Sequence, residues 1–195
     1  MLLPKSKSKG NYSSRRPAPK ARTLVISESI SQKSVSDAIK SIFDINRDDE
    51  DKEREYKRWV REPIQLVLNT FGGSVYDGLG LINAIELSQT PVYTYAIGSA
   101  MSMGLFILVS GKKRFIAQHA TVMYHQIATL SYGKLEGIKH DMKEGKRLEK
   151  VCEEILIRKT KITKKDLAPY KREKKDWFIT PKEALKLKIV DEILQ

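Results

Sequence analysis

The sequence predicts an α/β domain, and three observations carry that prediction. Short apolar runs with β-branched residues alternate with longer segments of helical periodicity, the pattern of strands feeding helices. A chain of 195 residues with 41% hydrophobic content is large enough for one domain with a full core. A strand runs into a helix through small residues twice, at Gly72-Gly73 and at Ser102, although no fixed-length repeat is visible.

TLVIS (23–27) reads as a buried first strand. Ser34, with Asp37 three residues on, resembles a capping box opening a helix with Val35, Ala38, Ile39, Ile42 and Phe43 on one face. Residues 46–62, NRDDEDKEREYKRWVRE, form a charged insertion with almost nothing to offer a core. They are expected to be a solvated helix extension or loop, anchored at its end by Trp59 and Val60. PIQLVLN (63–69) is the second strand, and the helix after the double glycine turns Val75, Leu79, Ile82 and Ile85 inward. VYTYAI (92–97) is the third strand, with Ser102 beginning the next helix. KRFIAQ and ATVMYH are two further strands separated by a turn at Gln118 and His119. A long helix is expected over 134–159, with Leu135, Ile138, Met142, Leu148, Val151, Ile155 and Leu156 near one stripe. Thr180-Pro181-Lys182-Glu183 places an N-cap Thr, an N1 Pro and an N3 Glu at a helix start, and IVDEIL closes the chain as a strand.

The formal net charge of +12 is uneven: residues 1–22 carry seven Lys or Arg and no acid. Such a segment cannot pack a core and reads as a disordered basic tail, leaving 23–195 as the domain. Contact with nucleic acid or an acidic partner is open to the tail, but no aromatic interleaving or nucleic-acid motif argues for it. Cys152 is the only cysteine, which excludes an intrachain disulfide and a cysteine-based metal site; among Lys150, Glu153 and Glu154 it reads as a helix-face residue. No metal and no cofactor is expected. The N-terminus lacks the apolar region of a signal peptide. The charge-free run from Leu87 to Gly111 is broken by Gln89, Thr90, Pro91, Thr94, Ser99 and Ser102, which argues against a membrane span. The reading is a soluble, cytoplasmic protein.

The chemistry gathers around Ser102. Ala100-Met101-Ser102-Met103-Gly104 is an A-x-S-x-G version of a nucleophile elbow, where small neighbours let a serine occupy a sharp strand-to-helix turn. The helix N-terminus there offers free N–H groups to a developing oxyanion. A serine needs a base, because its own pKa keeps it protonated at neutral pH. Of the three histidines, His140 lies on the polar side of the long helix and His119 in a turn. His125 ends an apolar strand and is the preferred base. The orienting carboxylate best fits Asp176, between KREKK and Trp177-Phe178, with Asp77, Asp141 and Asp166 as rivals on helix faces or in basic loops. Gly73 lets backbone approach a substrate closely, and its N–H pairs with that of Met103 as a candidate oxyanion hole. The phosphate-loop alternative for Gly72-Gly73 lacks G-x-x-x-x-G-K-[ST] and G-x-G-x-x-G.

NTFGGSVYDGLGLINAI, AMSMGLFILVSGKKRFI, ATVMYHQ and DWFITPKEALKLKIVDEIL, in that order, resemble the Clp protease proteolytic subunit (ClpP-like) family from about Arg22 to Leu194. The resemblance implies a serine endopeptidase of the Clp/crotonase-type fold, a repeated β-β-α superhelix with the long helix 134–159 protruding as a handle. It implies Ser102 as nucleophile, His125 as base, Asp176 as orienting acid, and the N–H groups of Gly73 and Met103 as oxyanion donors. Gly72, Ser74, Gln126 and Ile127 would edge the substrate groove, and residues 127–133 would flank the peptide as an extended strand. A heptameric ring, with stacking to a tetradecamer through the handle, an AAA+ unfoldase ATPase partner and unfolded polypeptide substrates are implied as well. Three blocks depart from the family. N-S-P-G-G appears as Asn69-Thr70-Phe71-Gly72-Gly73, H-Q-P as His125-Gln126-Ile127, and the acidic-Arg-Asp sensor as Lys174-Lys175-Asp176. The family's N-terminal pore segment has no match in the basic tail. These departures suggest a divergent branch, such as a phage-encoded or translocation-enhancing relative. The competing readings are a head-maturation-type protease acting on capsid or scaffold protein, a non-catalytic ring subunit, and a crotonase-like enzyme acting on acyl-CoA. The last would have no need of the triad.

Overall fold

Strands and helices alternate in the computed structural model, which describes residues 21–128 and 131–195. In chain order they are β1 (Thr23–Ile26), α1 (Gln32–Glu55), β2 (Ile64–Thr70), α2 (Val75–Leu87), β3 (Val92–Met101), α3 (Met103–Ser110), β4 (Lys113–Ala117), β5 (Thr121–Tyr124), α4 (Leu135–Lys159), α5 (Lys164–Glu173), β6 (Trp177–Ile179), α6 (Pro181–Lys186) and β7 (Glu192–Leu194). The basic tail over residues 1–20 lies outside the described residues.

The sheet runs β1-β2-β3-β4-β7 and is parallel along that path. Its longest strand changes neighbour partway. Residues Tyr93 to Ala96 of β3 pair with β4, whereas Ser99 to Met101 pair with β5. β5 in turn pairs antiparallel with β6. The sheet therefore forks at the end of β3, where the chain enters α3. β2 and β3 alternate as half-buried strands should: Ile64, Leu66, Leu68, Val92, Thr94 and Ala96 are buried, while Val67, Tyr93 and Tyr95 lie half-exposed on the other face. On that face Tyr95 stacks on Phe115 at 4.6 Å, and Val25 and Ile97 are exposed.

The charge-free run resolves into β3 and α3. All eight residues of α3 are buried, as a helix apolar on every side must be. Its polar atoms are satisfied locally: Thr94 Oγ1 donates to the Leu108 carbonyl at 2.7 Å and Ser110 Oγ to that of Phe106 at 2.8 Å. Among the described residues no helix is long and apolar enough to cross a membrane.

Several local expectations are corrected. The first helix is capped by Ser31, boxed with Ser34, because the chain is already helical at Gln32. Phe43 is exposed, as is Val60, so Val60 anchors nothing. The segment 46–62 is helical to Glu55 and holds a buried acid, Asp49, which is 0% exposed. Arg22 donates to the Asp49 carboxylate at 2.5 and 2.9 Å, Thr90 Oγ1 at 2.7 Å and Trp59 Nε1 at 3.1 Å. Burial alone would raise this carboxyl; the donors from Arg22, Thr90 and Trp59 outweigh it and leave it below its ordinary value. Nearby, Asn46 Oδ1 accepts from the N–H groups of Gln89 and Thr90. The charged insertion is thus a clamp joining the chain before β1, the end of α1 and the loop before β3.

The long helix begins one residue later than expected, and its stripe is buried only toward its end. Leu148, Cys152, Ile155 and Leu156 are buried, whereas Leu135 and Met142 are exposed. Residues 125–128 and 131–133 belong to no strand, and residues 129–130 lie outside the described residues. α5 and β6 were not expected. The Thr180–Glu183 capping box forms as the sequence predicts, with Pro181 in the first turn of α6.

Candidate active site

Ser102 sits between β3 and α3 with φ 51° and ψ −119°, a backbone region that side chains avoid. Such a residue costs on the order of 1–3 kcal/mol and persists only where its surroundings hold it. Here the holding is visible: β3 pairs on both sides, α3 is fully buried, and the Ser102 N–H donates to the Met123 carbonyl of β5 at 2.9 Å.

The turn after β2 lies directly against it. A Cβ on Gly72, at φ 102°, would stand 2.7 Å from Ser102 Cβ and 2.8 Å from the Met101 carbonyl oxygen. Only glycine permits that approach. Gly73 forms a parallel bridge with Ile30, in which the Ile30 N–H donates to Gly72 O and the Ser74 N–H donates to Ile30 O, each at 2.8 Å. In a parallel pair the intervening residue turns its own N–H to the other edge. The Gly73 N–H is therefore directed away from Ile30, on the side where Gly73 lines a cavity with Ser102. Met103 lines the same cavity as the first residue of α3, and its N–H has no intrahelical acceptor.

That cavity is about 270 Å³ and also takes walls from His125, Ile127, Val75, Phe106, Phe71, Ala128 and Cys152. Ser102 and His125 thus share one enclosure. Asp176 is exposed and is not part of its wall. The ladder explains its relation to His125: β5 and β6 pair Val122 with Ile179, Met123 with Phe178 and Tyr124 with Trp177. The ladder ends there, with His125 next after Tyr124 and Asp176 next before Trp177. Among the described residues no hydrogen bond joins Ser102, His125 and Asp176. Catalytic hydrogen bonds commonly tighten only when substrate is bound.

The remaining expected groove residues divide. Ile127 lines the cavity, Gly72 lies behind Ser102, Ser74 caps α2 by accepting from the Asp77 N–H, and Gln126 is exposed outside the wall. His119 and His140 are exposed and away from the cavity. Of the rival acids, Asp166 caps α5 with Thr163, Asp141 accepts from Ser131 Oγ, and Asp77 lies in the first turn of α2. Phe71, Phe106 and Cys152 were not foreseen as wall residues. Cys152 has helical spacing with Leu148, Ile155 and Leu156, so its burial was legible, but its proximity to Ser102 was not. Burial pushes its thiol up to about 11, with Glu149 and Glu153 adding to the shift, so it carries little thiolate near neutrality. A larger groove of about 1120 Å³ lies at the opposite ends of β3 and β4. Its charges are largely paired, Arg114 with Asp191 and Lys159 with Glu86. Among the described residues no cluster of His, Cys, Asp and Glu could hold a metal ion.

A protein-family model described as Clp protease matches residues 6–195. The chain is 30% identical over 135 residues to the ATP-dependent Clp protease proteolytic subunit of Deinococcus radiodurans, covering 68% of this chain and 65% of that protein. The chain thus spans just under two thirds of that relative's length. It is 26% identical over 183 residues to ATP-dependent Clp protease proteolytic subunit 1 of Prochlorococcus marinus (strain MIT 9312), covering 89% of this chain and 84% of that one. It is 27% identical over 183 residues to proteolytic subunit 2 of Synechococcus sp. (strain CC9605), with 89% and 83% covered.

Proposed function

The chain belongs to the Clp protease family, and from that premise we propose a serine endopeptidase that cuts extended polypeptides through Ser102, His125 and Asp176. The observation that carries the reading is Ser102 itself, a strained residue between strand and helix that shares a cavity with His125. In the proposed reaction Ser102 Oγ attacks the carbonyl carbon of the scissile bond while His125 accepts its proton. The tetrahedral oxyanion is held by the N–H groups of Gly73 and Met103, donors fixed before the reaction begins. His125 then returns the proton to the leaving amine, leaving an acyl-enzyme on Ser102, and water activated by the same imidazole releases the product. Asp176 orients the imidazole and stabilises its charged form. The cavity around Ser102 mixes apolar side chains such as Phe71, Phe106 and Ile127 with polar backbone and, among the described residues, holds no Asp, Glu, Lys or Arg, which supports binding of a peptide chain rather than a charged small molecule.

Incubation with a fluorophosphonate, followed by mass spectrometry of the digested protein, tests the reading. Label is expected on Ser102; an assembled protein that never acquires it would rule the serine peptidase out.

Assembly into a heptameric ring, stacked in pairs through α4, is part of the same proposal. Exposed Leu135 and Met142 on α4, and Val25 and Ile97 on the sheet, are apolar surface that a monomer leaves in water. Native mass spectrometry is expected to find a ring, and a monomer under all conditions would count against it. An ATPase that unfolds substrate is the partner this reading implies, supported by the family and by relatives named ATP-dependent.

A further inference from the structure

The position of Asp176 depends on a helix that the hydrophobic core scarcely holds. α5 buries one side chain, Leu167, and carries Pro169 in its interior. Two contacts in its last turn fix it to the rest of the chain. Lys171 Nζ lies 2.5 Å from Glu153 Oε1 and 3.6 Å from Glu149 Oε2, both on α4. Tyr170 stacks on Trp177, with ring centres 4.7 Å apart and planes within 5°. The chain then turns through Lys174 at φ 52° and reaches Asp176 immediately before β6. β6 is three residues long, and β5 is its neighbour in the sheet. Asp176 is thus located by a short ladder on one side and by the end of α5 on the other.

The acidic pair makes the contact more than a surface salt bridge. Glu149 and Glu153 are one turn apart on α4, each with its side chain 15% exposed, and Glu149 Oε1 is buried without a hydrogen-bond partner. They face the buried Tyr124 hydroxyl and the Cys152 thiol, neither of which supplies positive charge. Tyr124 immediately precedes His125. Removing the cation would leave two carboxylates beside the strand that carries the histidine and would free the helix that leads to the acid. Burial would lower the Lys171 ammonium, but Glu153 and Glu149 outweigh it and hold it above its ordinary value, so it stays charged near neutrality.

We propose that Lys171 is a positioning residue that holds Asp176 and His125 in register by tying α5 to Glu149 and Glu153 of α4. The inference rests on the triad reading above. In the assembled full-length protein, Lys171→Met is expected to lower kcat for a short fluorogenic peptide by about 10- to 100-fold. KM should stay within about twofold, because the peptide-binding walls are untouched. Fluorophosphonate labelling of Ser102 should slow in step with kcat. Lys171→Arg, which keeps the charge and the reach, should restore most of the rate. An unchanged kcat in Lys171→Met overturns the inference, and so does a loss that Lys171→Arg reproduces in full. If Lys171→Met does not fold, Glu149→Gln combined with Glu153→Gln removes the same tie and leaves only the part-exposed Lys171 ammonium unpaired, not two largely buried carboxylates; wild-type kcat in that variant overturns the inference equally. A wild-type protein never labelled on Ser102 overturns the triad reading and this inference with it. A labelled wild type indifferent to Lys171 overturns this inference alone.

Discussion

Ser102→Ala is expected to lower peptide hydrolysis by about 10⁴- to 10⁶-fold while leaving thermal stability nearly unchanged. The loss follows from removing the only atom proposed to bond the substrate. The unchanged stability follows from the backbone: alanine at φ 51° bears the same steric cost as serine, and Ser102 makes no side-chain cap to α3. Ser102→Gly separates the two effects. It removes the same nucleophile but relieves the left-handed backbone, so the protein should gain roughly 1 kcal/mol of stability as activity disappears. Peptide hydrolysis and thermal unfolding of both variants provide the check. Full activity in Ser102→Ala would overturn the assignment of the nucleophile, and a glycine variant no more stable than the alanine one would show that the turn stores no strain.

Asp49→Ala should be the most damaging single change away from the cavity, costing about 3–5 kcal/mol. The substitution strands the Arg22 guanidinium, whose side chain is 9% exposed, and leaves the donors of Thr90 and Trp59 without their acceptor. In a chain of this size that loss corresponds to a melting temperature lower by roughly 10 °C. The contribution also has a pH window. The folded carboxyl lies below its ordinary 3.8, so its stabilisation is complete above that value and fades as pH falls through the lower folded pKa. Thermal unfolding of wild type and Asp49→Ala should therefore differ widely at neutral pH and converge in acid. Equal melting temperatures at neutrality would contradict the clamp.

The parts of the molecule that the sequence made legible are those written locally. Thr180-Pro181-Lys182-Glu183 contains a whole helix start within four residues, and the small residues around Ser102 and Gly72-Gly73 announce tight turns wherever the chain goes. Asp49 was hidden for the opposite reason. Its partners come from positions 22, 59 and 90, so an acid within a charged run gives no local sign of burial. α5 was missed because one buried side chain makes no periodic stripe, even though Thr163 and Asp166 spell a capping box. Ser31 and Ser34 illustrate a different limit. Either could cap, and the choice between them is made by Ile30, which the bridge to Gly73 holds in extended conformation. The nearness in the sheet of the segments that carry His125 and Asp176 depends on an antiparallel register formed across more than fifty residues, which no local pattern encodes.

The forked strand couples the parts of the site mechanically. Ser102 follows the end of β3, where that strand lies between β2 and β5 and no longer beside β4. Its N–H is held by the Met123 carbonyl of β5, and His125 follows the last residue of that same strand. β5 is attached to β3 through three residue pairs and to β6 through three more. Force applied to this narrow flap would reach the proposed nucleophile, base and acid together, while β1, the start of β3 and β4 keep their own pairing.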